Sequence, residues 1–329
     1  MDGTGNDDAP TPASRPAPRV VVTGASGFVG RHLVPALVVA GFRVRTVTRS
    51  GAAVAPAGEY AVHPGIAADA DWSGILAGAD AVVHLAGLAH LPLDSRLARS
   101  QLRRVNVVAT DRLAQASARA GVATFVFLSS IKAVADHSGD QALTELTPSR
   151  PEDCYGMAKL AAERRLRRHS PGLPAMRTLI LRPPLVYGPG VAANFAALAR
   201  LVRRGLPLPL GAVRNRRSLI YVGNLTDAIV RCLQRPDVPA GTFHLSDGPP
   251  VSTPELIRAI ARAQGRPARL VSLPAAWLSF AADALGKRAQ MARLQGSLAV
   301  SNGHFCRSFD WEPPFTLEAG LLATLRPPT

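Results

Sequence analysis

Tyr155 and Lys159 are the residues of this chain best suited to acid–base chemistry. They stand four positions apart, so their side chains project from the same face if the segment is helical. A tyrosine hydroxyl ordinarily has a pKa of about 10, and a nearby ammonium group lowers that pKa by stabilising the phenolate. The pair therefore predicts a tyrosine that exchanges a proton near neutral pH, with Lys159 as its partner.

A second motif, with Gly24, Gly27 and Gly30 spaced three residues apart, predicts a binding site for a dinucleotide. The apolar run Arg19 to Thr23 before it is typical of a strand, and Phe28 to Ala40 after it is typical of a helix. Glycine allows a tight turn and lets a pyrophosphate approach the helix N-terminus, where free N–H groups favour anions. A nicotinamide site together with an activated tyrosine indicates hydride transfer between an alcohol and a carbonyl.

The end of the second predicted strand, Val44 to Val47, bears on the choice between NADP and NAD. An acidic residue at this point binds the ribose 2′-hydroxyl of NAD, whereas an arginine accommodates the 2′-phosphate of NADP. No Asp or Glu occurs between Arg19 and Pro56, and Arg49 follows the strand. The sequence therefore favours NADP, with NAD as the alternative.

Apolar runs and helical segments alternate along the rest of the first half. The further predicted strands are Ala81 to Leu85, Phe125 to Leu128 and Leu179 to Leu181, and the further helices are Val105 to Ala120 and a segment from Tyr155 through Glu163 and Arg164. This alternation predicts an α/β fold with a Rossmann-type doubly wound parallel sheet. Leu273 to Leu285 is too short to span a membrane and contains Asp283, so it predicts a packed amphipathic helix. No membrane span is expected.

Composition divides the chain into a tail and two domains. Residues 1–18 are rich in Pro, Ala, Asp and Gly without an apolar run, which predicts a disordered tail. Residues 19–188 are predicted to form the dinucleotide-binding Rossmann domain, which also takes in about 219–245. Residues 189–218 and 246–329 contain Pro-rich and Gly-rich stretches, and they are predicted to form a smaller, interleaved C-terminal substrate-binding domain over the carboxyl edge of the sheet.

The charge and cysteine content argue against several classes of protein. The net charge is +15, but only three of the 38 basic residues are lysines, and the arginines are scattered without interleaved aromatic residues. This pattern disfavours a nucleic-acid-binding protein. Cys154, Cys232 and Cys306 have neither metal-ligand spacing nor the even count of a disulfide framework. We therefore expect no metal site and a cytoplasmic protein.

Ser129 and Ser130 follow the strand Phe125 to Leu128, where a hydroxyl donor to the oxygen of a reacting carbonyl belongs. With Ser130 placed 25 residues before Tyr155, the chain resembles the extended short-chain dehydrogenase/reductases, in particular the NAD-dependent epimerase/dehydratase group that acts on nucleotide sugars. The resemblance extends from Arg19 to about Leu325. Besides the glycine turn, the motifs that carry it are His84-Leu85-Ala86, Asn106, Leu181-Arg182-Pro183 and Tyr187-Gly188-Pro189.

The resemblance implies a set of site residues. Ser130 would hydrogen-bond the substrate, Tyr155 would be the acid/base, and Lys159 would bind the ribose and lower the pKa of the tyrosine; Ser129 ranks second to Ser130. Substrate contacts carry over onto Asn194 and Arg217, as ligands of the diphosphate, and residues 205–211 would shape a uridine pocket. The implied cofactor contacts are Gly24, Ser26, Gly27, Phe28, Val29, Gly30, Arg49, Leu85, Ala86, Asn106, Ser129, Tyr155, Lys159 and Pro183.

The chain departs from the family pattern at two places. Pro64-Gly65-Ile66 stands where many relatives have a Gly-Asp step that contacts adenine. Ser130-Ile131-Lys132 lacks the Asp-Glu pair that sugar 4,6-dehydratases place after their hydroxyl residue, so dehydration is not expected.

The leading functional hypothesis is a 4-ketoreductase that acts on a UDP-4-keto-6-deoxy-hexose in surface polysaccharide synthesis. The alternative is a UDP-hexose 4-epimerase that retains NAD. A non-catalytic cofactor-sensing protein is a third hypothesis, and the presence of Ser130, Tyr155 and Lys159 argues against it. The resemblance also implies that a homodimer is possible, formed through helices that flank the sheet.

Overall fold

The computed structural model describes residues 16–48, 58–62, 71–89, 96–168, 175–273, 291 and 294–326. Four of the sequence predictions fall wholly or largely on other parts of the chain. Arg49, the segment 64–66 and nearly all of the predicted helix 273–285 lie outside the described residues, as do residues 1–15 of the predicted tail.

A parallel β-sheet forms the centre of the molecule. Within the described residues, seven strands pair in the order β3-β2-β1-β4-β5-β6-β9, and each neighbouring pair is parallel. The strands are β1 (Arg19–Thr23), β2 (Arg43–Thr48), β3 (Glu59–Val62), β4 (Ala81–His84), β5 (Thr124–Leu128), β6 (Arg177–Arg182) and, at the edge, β9 (Gly241–His244). Strands β7 (Leu185–Tyr187) and β8 (Leu219–Tyr221) form a separate parallel pair. The predicted α/β fold with a doubly wound parallel sheet is confirmed.

Helices cover both faces of the sheet. They are α1 (Phe28–Val39), α2 (Ser73–Leu76), α3 (Arg96–Leu102), a π-helix (Arg103–Val108), α4 (Ala109–Arg119), a 3-10 turn (Ile131–Ala133), α5 (Cys154–Arg167), α6 (Ala193–Arg203), α7 (Val222–Gln234), α8 (Thr253–Ala263), α9 (Gly303–Phe309) and α10 (Leu317–Leu325). Alternate residues of β1 show why both faces must be covered. Val20 and Val22 belong to the apolar core beneath α1 and α7, whereas Val21 belongs to the core beneath α4 and α5. All three are fully buried, as expected for a parallel strand between two helical layers.

The segment 96–119 differs from the single helix predicted over Val105 to Ala120. It already begins with α3 and passes through the π-helix before α4. A π-helix adds a residue to the local turn and so shifts the phase of the apolar repeat. Helical periodicity therefore identified only the regular part, near α4.

Residues beyond β6 build a second apolar cluster beside the sheet. Its core combines side chains from β7, β8, α6, α8 and α10. Asp247 joins these parts, because its carboxylate accepts hydrogen bonds from the Tyr187 hydroxyl (2.9 Å), the Tyr221 backbone N–H and the Asn224 amide (2.7 Å). This cluster lies next to the end of β6, where the candidate site residues are found.

Candidate active site

The predicted site residues follow the carboxyl ends of four neighbouring strands. The glycine turn follows β1, Leu85 follows β4, Ser129 and Ser130 follow β5, and Pro183 follows β6. Parallel strands end at the same edge of a sheet, and ligands of doubly wound proteins bind outside that edge. The fold therefore brings together motifs that are far apart in the sequence.

The glycine turn has the geometry of a dinucleotide site. Gly24 adopts a φ of +73°, and a Cβ there would lie 2.6 Å from the backbone nitrogen of Ala86. A Cβ on Gly30 would lie 2.4 Å from the carbonyl oxygen of Gly24. Gly27 occupies the N-cap of α1 and provides no side-chain cap, and both Ser26 and Gly27 are exposed. The N–H groups at the start of α1 thus face an open turn without side chains, which suits a pyrophosphate.

The other predicted cofactor contacts near this turn are less accessible. Phe28 and Val29 are half-buried, and Phe28 packs edge-on against His32 at a centroid distance of 5.7 Å. Leu85 and Ala86 are half-buried at the end of β4, next to Gly24. They form the apolar floor beside the turn.

His84 connects this floor to the π-helix through buried hydrogen bonds. Its Nδ1 lies 2.6 Å from the Thr23 hydroxyl, and its Nε2 lies 3.0 Å from the Thr110 hydroxyl. Because Thr110 donates its proton to the Asn106 carbonyl at 2.9 Å, His84 must donate from Nε2 and accept at Nδ1. Burial lowers the pKa of His84 to about 3, and the Lys159 charge adds to the effect. The imidazole is therefore neutral and serves as a fixed link between β1, β4 and, through Thr110 of α4, the π-helix.

Asn106 fixes the loop that follows β4. Its side-chain oxygen accepts from the Leu88 N–H at 2.8 Å, and its amide donates to the Leu88 carbonyl at 2.9 Å. A Cβ on Gly87 would lie 3.2 Å from the Asn106 oxygen and 3.5 Å from Lys159 Nζ. The loop after β4 thus lies between Asn106 and Lys159, and Asn106 holds its backbone. The contact of Asn106 with a cofactor stays a prediction.

Tyr155 and Ser130 meet across the start of α5. A hydrogen bond with Ser130 lowers the pKa of Tyr155, but burial has the larger effect and, together with the Asp153 charge, raises that pKa to about 12. Ser130 Oγ also accepts from the Lys132 N–H at 3.2 Å, which caps the 3-10 turn. A Cβ on Gly156 would lie 2.3 Å from the Lys132 carbonyl oxygen, so α5 begins directly against this turn. The contact sets the serine hydroxyl beside the tyrosine hydroxyl.

Lys159 is buried, and its ammonium group donates to the Leu128 carbonyl at 2.8 Å. Nζ lies 4.6 Å from the centre of the Phe127 ring and 5.9 Å from the centre of the Tyr155 ring. Burial lowers the pKa of Lys159 to about 8, and the charge of Glu163 opposes this effect. Lys159 remains protonated at neutral pH, and its effect on the Tyr155 phenolate stays a prediction.

Tyr155 can exchange a proton with a substrate if a further positive charge lies beside its hydroxyl. The groups of the chain itself hold the pKa of Tyr155 above its ordinary value, so the phenolate needs a further cation next to it. The oxidised nicotinamide of a bound dinucleotide carries such a charge and accepts hydride. Ser130, Tyr155 and Lys159 would lie around the reacting oxygen and the ribose, where they bind, orient and exchange protons.

Ser129 points elsewhere. It is buried, and its hydroxyl donates to Glu163 Oε1 at 2.5 Å. Only the backbone of Ser129 is left to contact a cofactor as predicted. Pro183 is also buried, and its carbonyl accepts from the Ile131 N–H at 2.9 Å, which ties β6 to the turn after Ser130.

The predicted substrate residues lie in the second cluster. Asn194 is exposed in the first turn of α6, next to Phe195, which is buried and stacks on Tyr187 at 5.4 Å. Arg217 lies just before β8 and is half-buried. Burial lowers its pKa, and its Nη1 donates to the Gly296 carbonyl at 3.1 Å. The loop 205–211 pairs with residues 269–271, through Leu208 and Gly211. A small cleft opens beside this loop, and its walls are Ala212, Val213, Arg214, Asn215, Leu273, Gln295 and Ser297.

Sequence reasoning missed one group of residues behind the site. Glu163 is fully buried one turn after Lys159 and binds Ser129 together with Arg182 of β6. The only signal in the sequence is an acidic residue on the apolar face of the Tyr155 helix.

The burial of Lys159 gives a test in stability. In the folded chain its pKa is about 8 against an ordinary 10.5, so as the pH falls through this window the unfolded chain takes up the proton first. The free energy of unfolding of the wild type therefore falls by roughly 3 kcal/mol, and this loss is complete below about pH 8. We expect Lys159→Met to gain that amount relative to wild type between about pH 10.5 and pH 7. Urea unfolding at both pH values measures it, and a pH-independent difference contradicts it.

Comparisons with known proteins agree with this fold. A model of the NAD dependent epimerase/dehydratase family matches residues 20–245. The chain belongs to this family, and it is an enzyme of the extended short-chain dehydrogenase/reductase type. The resemblance inferred from the motifs is thereby confirmed.

Individual relatives indicate the range of substrates in the family. The chain is 36% identical to the UDP-glucose 4-epimerase of Vibrio cholerae, over 93% of this chain and 94% of that one. It is 30% identical to a 3 beta-hydroxysteroid dehydrogenase/Delta 5-->4-isomerase of Mycobacterium tuberculosis, over 78% of this chain and 73% of that one. Among solved structures, MoeE5 in complex with UDP-glucuronic acid and NAD matches with a TM-score of 0.74 and 26% identity, over 93% of this chain and 97% of that one.

No helix among the described residues is both long enough and apolar enough to cross a bilayer.

Proposed function

We propose that this enzyme interconverts the two C4 epimers of a UDP-hexose and retains NAD during turnover. The observation that carries the proposal is the hydrogen bond between Ser130 and Tyr155 beside a buried, protonated Lys159. The identity to the Vibrio cholerae UDP-glucose 4-epimerase over nearly the full length of both chains supports the choice of reaction.

The proton chemistry follows from the arrangement of these three side chains. Tyr155 removes the proton of the C4 hydroxyl, and Ser130 donates a hydrogen bond to the same oxygen as it becomes a carbonyl. Lys159 supplies positive charge and holds the ribose. NAD bound at the glycine turn would supply the hydride acceptor and donor for C4. The keto sugar must turn over before it is reduced again, and Tyr155 then gives the proton back to the C4 oxygen.

The remaining predicted contacts are proposals of the same kind. The turn residues Gly24 to Gly30, with Leu85, Ala86 and Pro183, would line the dinucleotide, and Asn194 and Arg217 would bind the diphosphate of the sugar nucleotide. Arg217 suits this role because a guanidinium binds phosphate oxygens in a bidentate manner. Residues 189–218 and 246–329 would form the substrate-binding domain.

A 4-ketoreductase that uses NADP is the second candidate. Glu59, the first acidic residue after β1, pairs with Arg45 at the amino-terminal end of β3. It therefore lies away from the carboxyl edge, where a carboxylate would select NAD. A reductase would release the oxidised cofactor after each turnover, whereas the epimerase would retain it.

The bound dinucleotide and the activity of one purified preparation distinguish the epimerase from the reductase. We expect purified protein, denatured after extensive dialysis, to release NAD or NADH, and the native protein to convert UDP-galactose to UDP-glucose without added dinucleotide, as followed by proton NMR. An empty site, together with oxidation of added NADPH by a UDP-4-keto-6-deoxy-hexose, would favour the reductase. Absence of both activities would refute the assignment to UDP-hexoses.

A further inference from the structure

Glu163 is a buried carboxylate with no part in the chemistry described above. It lies one turn beyond Lys159 on α5, and its side chain has no exposed surface. Carboxylates leave water only when they are paired and hydrogen-bonded. Glu163 accepts from Ser129 Oγ at 2.5 Å, from Arg182 Nε at 2.9 Å and from Arg167 Nη2 at 3.0 Å.

Two successive turns of α5 hold the last residue of β5 and the residue that follows it. Lys159 Nζ binds the Leu128 carbonyl at 2.8 Å, and Glu163 binds the Ser129 hydroxyl at 2.5 Å. Ser130 is the next residue along the chain. Because Tyr155 lies on the same helix, these two bonds determine how the tyrosine and the serine face each other.

The charge of Glu163 also acts on Lys159. Burial disfavours the protonated amine, and the negative charge of Glu163 is the effect that opposes it. Arg182 is 3% exposed and lies against the same carboxylate. Without Glu163, Arg182 and Lys159 would be two positive charges in one buried region, and each would disfavour the other.

The other titratable groups around Lys159 do not supply this charge. His84 on β4 is neutral, with a pKa of about 3. Tyr155, on the same helix, keeps its proton up to about pH 12. From β5 the neighbours are the Phe127 ring and the Leu128 carbonyl. Gly87, in the loop after β4, lies between Lys159 and the uncharged Asn106 amide of the π-helix.

We propose that Glu163 is a positioning residue of the active site, which keeps the Lys159 side chain protonated and fixes the end of β5 that presents Ser130. This inference rests on the proposed function only where it concerns turnover. The protonation state of Lys159 can be measured without a substrate.

The chain contains three lysines, which makes a direct titration practical. In NMR spectra of protein labelled with carbon-13 at the lysine ε position, the signal of Lys159 is identified as the one that is missing in Lys159→Met. We expect its midpoint near pH 8 in the wild type and at least one pH unit lower in Glu163→Gln. The Lys132 signal is the internal control, because its ion pairs are with Asp136 and Asp153 and do not change.

Opposite variants separate a charge effect from damage to the fold. Arg182→Gln removes a positive charge that partly neutralises Glu163. The carboxylate then stabilises protonated Lys159 more strongly, so the titration midpoint of Lys159 should rise. If Glu163→Gln does not fold, Glu163→Asp takes its place, and its shorter carboxylate should give a midpoint below that of the wild type. An unmoved Lys159 midpoint in either folded Glu163 variant, or a fall in Arg182→Gln, would overturn the proposal.

Turnover completes the test. We expect Glu163→Gln to lower kcat at neutral pH by about tenfold or more, with a much smaller change in KM, and the loss to diminish at lower pH as Lys159 regains its proton. Glu163→Asp should recover part of the lost activity. If the chain acts on other substrates, the titration result stands unchanged, so failure of the proposed function and failure of this inference are distinguishable.

Discussion

Replacing Tyr155 with Phe is expected to lower kcat by about 10³-fold while the affinity for the dinucleotide stays nearly unchanged. The ring packs against the buried cluster of Leu102, Val107 and Ala158, and Phe keeps those contacts. What is lost is the hydroxyl that hydrogen-bonds Ser130 and exchanges the proton. Steady-state kinetics measures turnover, and calorimetric titration with NAD, after the bound dinucleotide has been removed, measures the affinity.

Tyr60→Phe is the matched control. Tyr60 lies on β3 with 61% of its surface exposed, so removal of its hydroxyl should alter neither turnover nor binding. A Tyr155→Phe enzyme that turns over at the wild-type rate would exclude the proton-transfer role. Equal loss of turnover and of dinucleotide binding would instead indicate a damaged site.

Gly30→Ala is expected to lower dinucleotide affinity by about 100-fold or more and to destabilise the fold by about 1–3 kcal/mol. The added methyl would lie 2.4 Å from the Gly24 carbonyl oxygen and 2.5 Å from that of Ala25. Both are backbone atoms, so the turn and α1 must separate, and the N–H groups that face the pyrophosphate lose their alignment. Fluorescence titration with NADH and urea unfolding measure the two effects.

The control is Gly74→Ala in α2, where a Cβ would meet no atom within 4 Å. That substitution should leave NADH affinity unchanged. Wild-type affinity in Gly30→Ala would show that the dinucleotide does not bind at this turn.

The motifs predicted the central sheet because its causes are local. Buried β-branched runs such as Val20–Val22, and the glycines between β1 and α1, are readable without knowledge of their neighbours. Tyr155 and Lys159 were identified for the same reason, since a spacing of four residues on a helix determines a shared face.

Other parts depend on contacts between distant segments. Strands β7 and β8 have three residues each and β9 has four, so these strands carry no periodicity of their own. The ion pair of Glu163 with Arg182 joins a helix to a strand. The ammonium of Lys159 binds a backbone carbonyl of β5, a partner that side-chain types in the sequence do not specify.

The central claim is that this enzyme moves the hydride at C4 of a UDP-hexose. The most direct test supplies purified enzyme with UDP-hexose deuterated at C4 and measures the mass of the dinucleotide recovered after rapid denaturation. We predict that the reduced dinucleotide contains one deuterium, and that Tyr155→Phe yields almost none on the same timescale. Turnover of the sugar with an unlabelled reduced dinucleotide, or transfer of label only from a substrate deuterated at C3 or C5, would contradict it.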